Sequence, residues 1–444
     1  MDNSINNNIN NNYFKYLNLL CKKYNIIIDN KLYDLLNNIL ISATNYIENN
    51  ILQIIYSDLY EEVYEYTYEI YYIQLIETSI LQNLLNISQP KAIYVLCKLI
   101  CISRSLIFKY IIPKRSYSNN NIRKNLENIS YNLNINFNKI NNQLNILKSI
   151  KQPDQRSDEW YIFRNSTLTA SNIYKIFVSD YTQNQLILEK CEPLNITKFK
   201  TNNTNSPLHW GQKYEPVSIM YYEYIYNTKV TEFGCIPHKD YSFIAASPDG
   251  IVCDPSSELF GRMLEIKNVV SREITSIPKM EYWIQMQIQM EVCNLNECDF
   301  LETKFIEYSD YNDFVNDNSV KYKGIILQYL KNEEPYYVYA PFMLNDVNSN
   351  DYNIWFKQVT HENKELTFIN TLYWKLEVIS CILVLRNKYW FNTILPYIDA
   401  FWNNLVNERE TGIYKERISK KRKLYIEHEK SKSDFPNTGC LINI

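Results

Sequence analysis

Residues 246–268 read Ala-Ser-Pro-Asp-Gly-Ile-Val-Cys-Asp-Pro-Ser-Ser-Glu-Leu-Phe-Gly-Arg-Met-Leu-Glu-Ile-Lys-Asn, and they set charged residues where the hydrophobic pattern asks for core strands. Ile251–Cys253 and Met263–Lys267 read as two short strands, with Asp254-Pro255-Ser256-Ser257 and Gly261 breaking the chain between them. Asp249 and Glu265 lie equally far from Ser257, so a hairpin centred there sets their backbones side by side. Side chains alternate faces along a strand, so Glu265 and Lys267 point one way and Ile266 into the core. Two carboxylates and one ammonium then converge at one end of a small sheet. Carboxylates are the preferred protein ligands of Mg²⁺, which keeps waters and completes its shell from substrate phosphate. A lysine beside such an ion can orient or deprotonate an attacking water. Glu-x-Lys alone is common on exposed hairpins; Ser247-Pro248-Asp249-Gly250 on the partner strand gives it weight.

Pro248-Asp249 followed by Glu265-Ile266-Lys267 resembles the PD-(D/E)XK nuclease signature. Over roughly Trp160 to Ile306 the chain looks like the lambda exonuclease branch of that superfamily, the YqaJ-type viral recombinase nucleases. The resemblance implies an α/β (α+β) fold: a restriction-endonuclease-like core of a small mixed sheet flanked by helices. It also implies that Asp249 and Glu265 bind metal, with the Ile266 carbonyl as an extra ligand, and that Lys267 positions the water. Trp160 and Arg164, one helical turn apart and followed by Thr169-Ala170-Ser171, resemble the family's opening motif. Ser171 is expected to cap a helix over 172–177, and free amides at a helix start together with an arginine suit a phosphate. Arg164 and Ser171 are thereby implied to hold the phosphate of a DNA end; the plain alternatives are a surface ion pair and an ordinary cap. His209–Pro216 looks like the family's Gly-x-x-x-Glu motif, which places Glu215 beside the metal on a helix running to about Tyr226. Tyr282–Glu291 alternates strictly enough for a strand, but the resemblance implies a helix, which Met and Gln also favour. By motif order Gln285 completes the active site, with Gln287 second; Gln289 suits a polar helix edge.

The 444 residues are 46% hydrophobic and carry a net charge of −3, enough for two or three cores and too balanced for a globally basic nucleic-acid binder. Any DNA contact must come from local patches. Gly 7 and Tyr 39 are extreme counts that fit an AT-rich coding genome better than a structural demand. The cysteines lack any Cys-x-x-Cys pair, and neither His209 nor His238 has a cysteine at zinc-like spacing, so buried free thiols in a reducing compartment are expected. No secretory leader and no membrane-length apolar run is readable.

Helical periodicity marks Tyr13–Tyr24, Leu32–Ile47, Tyr64–Leu85 and Ala92–Tyr110, giving a helical N-terminal region, 1–115. Residues 116–150 read as an Asn-rich mobile linker, 151–345 as the nuclease domain, and 346–412 as a helical C-terminal extension. The extension's apolar anchors are Trp374, Leu376, Val378, Ile382, Leu385, Trp390 and Phe391. A basic tail, 413–444, carries Arg417 and Lys420–Lys423 and reads equally as a nuclear signal, a DNA-contacting tail or a solubilising one.

The expected function is a Mg²⁺-dependent (or Mn²⁺-dependent) DNA exonuclease, resecting double-stranded ends for viral-type recombination or replication. Its partners would be DNA, a single-strand annealing protein and copies of itself, and its place the host cytoplasm, at a virus factory, or the nucleus. Two rivals stand beside it: a structure-specific or nicking endonuclease, and a non-catalytic DNA-binding protein that keeps the nuclease fold.

Overall fold

The computed structural model describes residues 3–57, 59–118, 137–196, 204 and 206–417, with side chains described from residue 13 onward. Eleven strands run through it: β1 (Tyr117–Ser118), β2 (Leu168–Thr169), β3 (Val230–Thr231), β4 (Ile236–Pro237), β5 (Ile244–Ala246), β6 (Gly250–Val252), β7 (Met263–Asn268), β8 (Glu297–Glu307), β9 (Lys323–Lys331), β10 (Glu334–Tyr339) and β11 (Thr367–Leu385). The main sheet has the order β10-β9-β11-β8-β7-β6-β3, with β1 added to β11; a second sheet has the order β2-β5-β4.

The β6–β7 hairpin forms as its punctuation predicts. Gly250 pairs with Leu264 and Ile251 with Met263, a register centred on Ser257. The chain then crosses through the helix Met280–Cys293 and returns as β8, parallel to β7. Both faces of that crossover helix are covered, Trp283, Ile284, Met286, Ile288 and Met290 being buried. A helix apolar all round reads as alternating in sequence, which is why Tyr282–Glu291 mimics a strand. Helix Pro207–Tyr226 starts at a Ser206 cap and lays Tyr214, Val217 and Tyr222 against the sheet.

The helical N-terminal region is present: Asn3–Lys23, Asn30–Asn50, Leu59–Tyr71, Ile80–Leu85 and Gln89–Tyr110 close around Leu36, Leu96, Leu99 and Ile102. Its other face is continuous with the main core, because Ile47, Ile51, Ile54 and Ile107 share a cluster with Trp283 and Trp390. Two expectations are corrected. Residues 116–150 are not a plain linker in their described part: Tyr117–Ser118 pairs with β11, and Phe137–Ser149 is a helix that buries Leu144 and Leu147. Nor is 346–412 a helical extension. Helices Asn350–Glu362 and Lys388–Thr411 flank β11, which lies inside the main sheet between β8 and β9. Trp374, Leu376 and Ile382, taken as helix anchors, are buried on that strand, and a bulge between Leu376 and Val378 turns Val378 outward. The segment is rich in β-branched and aromatic residues, and sheet packing on both sides decides its state. Arg417 pairs with Glu408 at the end of the last helix, while Lys420–Lys423 lie outside the described residues. Among the described residues no helix is long and apolar enough to cross a membrane.

Candidate active site

Short β6 leaves part of β7 unpaired on that side, and Asp249 fills the gap. Its Oδ2 accepts the Ile266 backbone N–H at 2.7 Å, which fixes the carboxylate beside Glu265. Glu265 is fully buried. Its Oε1 pairs with Lys267 Nζ, two residues along the same strand face, and its Oε2 accepts from Gln289 Nε2 at 2.7 Å. Glu215, from helix Pro207–Tyr226, joins Asp249, Ile266 and Lys267 in lining one cavity of about 620 Å³. Arg272 and Tyr282 line it as well.

The electrostatics show how tightly these charges are gathered. Burial raises the Asp249 carboxyl well above the usual carboxylate range, and Glu265 and Glu215 add to the rise. Burial also raises Glu215, against which Arg156 acts through an ion pair of 3.4 Å. Burial lowers the Lys267 ammonium, but Glu265 and Asp249 overcome this and hold it above the usual lysine range. Desolvation and the gathering of like charges act together on these carboxyls, so an opposite charge brought to them is favoured.

A small hard cation fits this donor set. Asp249, Glu265 and the Ile266 carbonyl offer oxygen only, and Mg²⁺ needs no more than one or two carboxylates because it keeps waters. Among the described residues no three His, Cys, Asp or Glu side chains converge as a complete ligand set. Gln289 Oε1 is buried, on the amide that donates to Glu265, with no hydrogen-bond partner in the protein, so the site has polar demand left over.

The remaining predicted residues fall into place unevenly. Arg164 Nη2 donates to Ser171 Oγ at 3.0 Å and the guanidinium lies 4.3 Å from the Trp160 ring, so the opening motif does assemble. Ser171 is not the cap, however. Thr169 holds that position in a capping box with Asn172, because its extended backbone ends β2, leaving Ser171 inside the first turn. Thr169 pairs with Ala245 of β5, the strand that leads into Ser247-Pro248-Asp249, yet neither Arg164 nor Ser171 lines the carboxylate cavity. Gln287 is corrected. Its amide bonds the Leu385 carbonyl at 2.9 Å and the Asn387 N–H at 2.7 Å, which pins the end of β11. Gln285 is half-buried, and among the described residues no hydrogen bond joins it to the site. Gln289, set aside as a helix edge, is the glutamine that reaches Glu265. Gln285 and Gln289 share a face one turn apart, a spacing that admits either. Arg156 and Arg272 were missed too: the first pairs with Glu215, the second with buried Glu302. Only the positive φ of Arg156, 68°, sets it apart, and that is invisible in sequence.

Residues 159–296, which contain all the carboxylates of this cavity, match the model of the YqaJ-like viral recombinase domain. That segment, about a third of the chain, is similar to this family. A protein of Acanthamoeba polyphaga mimivirus, R354, is 30% identical over 341 residues, covering 66% of this chain and 59% of its own length. The chain thus spans less than two thirds of that viral relative. Two structural comparisons cover similar ground. An alkaline exonuclease from Laribacter hongkongensis shows 19% identity, a TM-score of 0.33, and coverage of 62% of this chain and 100% of its own. A phage-related exonuclease from Haemophilus somnus shows 15% identity, a TM-score of 0.30, and coverage of 55% and 96%. Part of the fold lies outside the YqaJ-like segment, since β8, β9, β10 and β11 follow residue 296.

Proposed function

We propose that the chain is a Mg²⁺-dependent deoxyribonuclease that digests double-stranded DNA from an end, serving viral-type recombination or replication. The observation that carries this reading is the meeting of Asp249 and Lys267 in the wall of one cavity, with the buried Glu265 carboxylate paired to Lys267. Bound there, Mg²⁺ supplies charge neutralisation for the phosphate under attack. Asp249, Glu265 and the Ile266 carbonyl hold it. Lys267 orients the water, donating from an ammonium that Glu265 keeps in place. Gln289 fixes Glu265 from the other side, and Arg272 offers a guanidinium to a phosphate oxygen along the cavity wall. Arg164 and Ser171 hold the end phosphate, and Gln285 serves one turn from Gln289 once DNA is in place.

The test compares wild type with Lys267→Ala on linear and on closed circular duplex, each with Mg²⁺ and with EDTA. Loss of the linear duplex alone, dependent on metal and absent in the variant, is the expected result. Cutting of the circle replaces the exonuclease with an endonuclease. DNA binding without cleavage of either substrate leaves a binding protein.

A further inference from the structure

A second cavity, of about 420 Å³, opens beside the first and is lined by Arg156, Tyr161, His209, Tyr336, Tyr337 and Tyr339. Gln212 lines both cavities, and Arg156 reaches from this one to Glu215 of the other. The two cavities thus adjoin at Gln212 and at the Arg156–Glu215 pair. The volume lies within the usual range of small-molecule sites, roughly 300–1,000 Å³.

Two rings of the lining are anchored. Tyr337 shares a hydrogen bond of 2.7 Å with His209 Nε2, and the Tyr339 hydroxyl donates to the Lys213 carbonyl at 2.8 Å. Rings anchored in this way lose little freedom when a ligand stacks on them. Other tyrosines are core packing, as in the stacked pair Tyr214 and Phe305. These differ because they face an open cavity, and Tyr336 stays 38% exposed on the edge strand β10. Charge is balanced: Lys213 is paired with Glu307, and Glu334 stands in the lining with Arg156. A balanced aromatic cavity suits a neutral flat ring better than a phosphate. Arg156 adds a further sign of use, since it keeps a left-handed backbone where a glycine would sit without strain.

We propose that this cavity takes a nucleobase next to the scissile phosphate, unstacked from the duplex and held against the tyrosines. The inference rests on the nuclease reading and deepens it. Prying a base from its neighbour costs energy that a stacking surface returns, and such surfaces accept any base because each has a π-face.

The experiment uses the full chain in EDTA, so that no cleavage occurs, and two duplexes with 2-aminopurine near one end. One end is blunt; in the other the terminal bases are mismatched and already unstacked. The probes are these DNAs alone. Wild type should bind the mismatched end about tenfold tighter and quench its fluorescence. The double variant Tyr161→Ala/Tyr336→Ala should lose roughly 5- to 100-fold of that affinity and the quenching. Tyr161→Trp/Tyr336→Trp should retain both, which guards against a folding defect in the alanine variant. Equal affinity of wild type and the alanine variant for the mismatched end, with unchanged quenching, overturns the base site and leaves the nuclease standing. No binding of either DNA by wild type overturns the base site, while the nuclease reading is decided separately by cleavage in Mg²⁺.

Discussion

Gln289→Met separates positioning from packing at the active site. Methionine matches glutamine in length and keeps the core filled, but it cannot donate to Glu265 Oε2, so the 2.7 Å bond is lost. Gln289 is fully buried, and its loss leaves a buried carboxylate oxygen without its donor. A hydrogen bond to a charged group is worth about 1.5–3 kcal/mol. If Glu265 must be held in one rotamer for the reaction, that whole amount falls on the transition state, a rate loss of roughly 10- to 150-fold. Single-turnover cleavage of linear duplex at saturating Mg²⁺ reads the step directly. The loss should be larger below saturating Mg²⁺, since a bound cation restrains the same carboxylate. Gln287→Met is the control: it frees the Leu385 carbonyl and the Asn387 amide and so should lower the melting temperature while sparing the rate. A Gln289→Met enzyme within twofold of wild type, beside a Gln287→Met enzyme that is catalytically impaired, would refute the reasoning.

Other outcomes follow from the scaffold. Arg262 Nε and Nη1 bond Glu297 and Asp299 at 2.6 and 2.8 Å, and Tyr222 caps Asp299, so Arg262→Met strands buried charge. It should cost about 3–5 kcal/mol in urea unfolding; a loss below 1 kcal/mol, on the order of an exposed pair, would mean that water reaches the network. Burial lowers Lys109 from 10.5 to about 8, so the unfolded chain binds the extra proton between those values and stability rises with pH across that window. Lys109→Met should therefore stabilise by on the order of 1–2 kcal/mol below pH 8, the Tyr16 ring offsetting part of the burial cost, and the gain should fade towards pH 10.5. Melting curves across that range check it, and a gain that grows with pH would reverse the sign. Gly261 has φ 82°, and a Cβ there would lie 2.5 Å from Ile140 Cγ2. Gly261→Ala should cost about 1–3 kcal/mol. Adding Ile140→Val should not recover the backbone share, which a double-mutant cycle would measure.

The hairpin and its charges were legible because they rest on local chemistry. Turn residues centred on Ser257, and the alternation of Glu265, Ile266 and Lys267, fix both register and facing before any tertiary contact is known. The crossover helix was legible by resemblance and by the helix preference of Met and Gln, since a helix covered on both sides has no polar stripe to reveal it. β11 was misread because Trp374, Leu376, Val378 and Ile382 are spaced by two and four, which a helix and a strand both tolerate. Its strand state is set by β8 and β9, far away in sequence. Gln289 was passed over for a similar reason. Three glutamines at alternate positions give three directions around a helix, and only the packed sheet tells which one meets Glu265.

The place of β11 also bears on how the molecule is made. Among the described strands it is the last to leave the ribosome, yet it occupies an interior position, and every pairing of β9 with the rest of the sheet runs through it. Until residue 385 has emerged, β8 and β9 each present an open edge, and the β9–β10 hairpin has nothing to join. Such edges invite pairing with another nascent chain. A fragment trimmed to residues 159–296 would contain the acidic cluster but stop before β8 begins at Glu297, removing the strand against which β7 lies parallel. Expression of the site therefore calls for the chain through the helix that ends at Thr411.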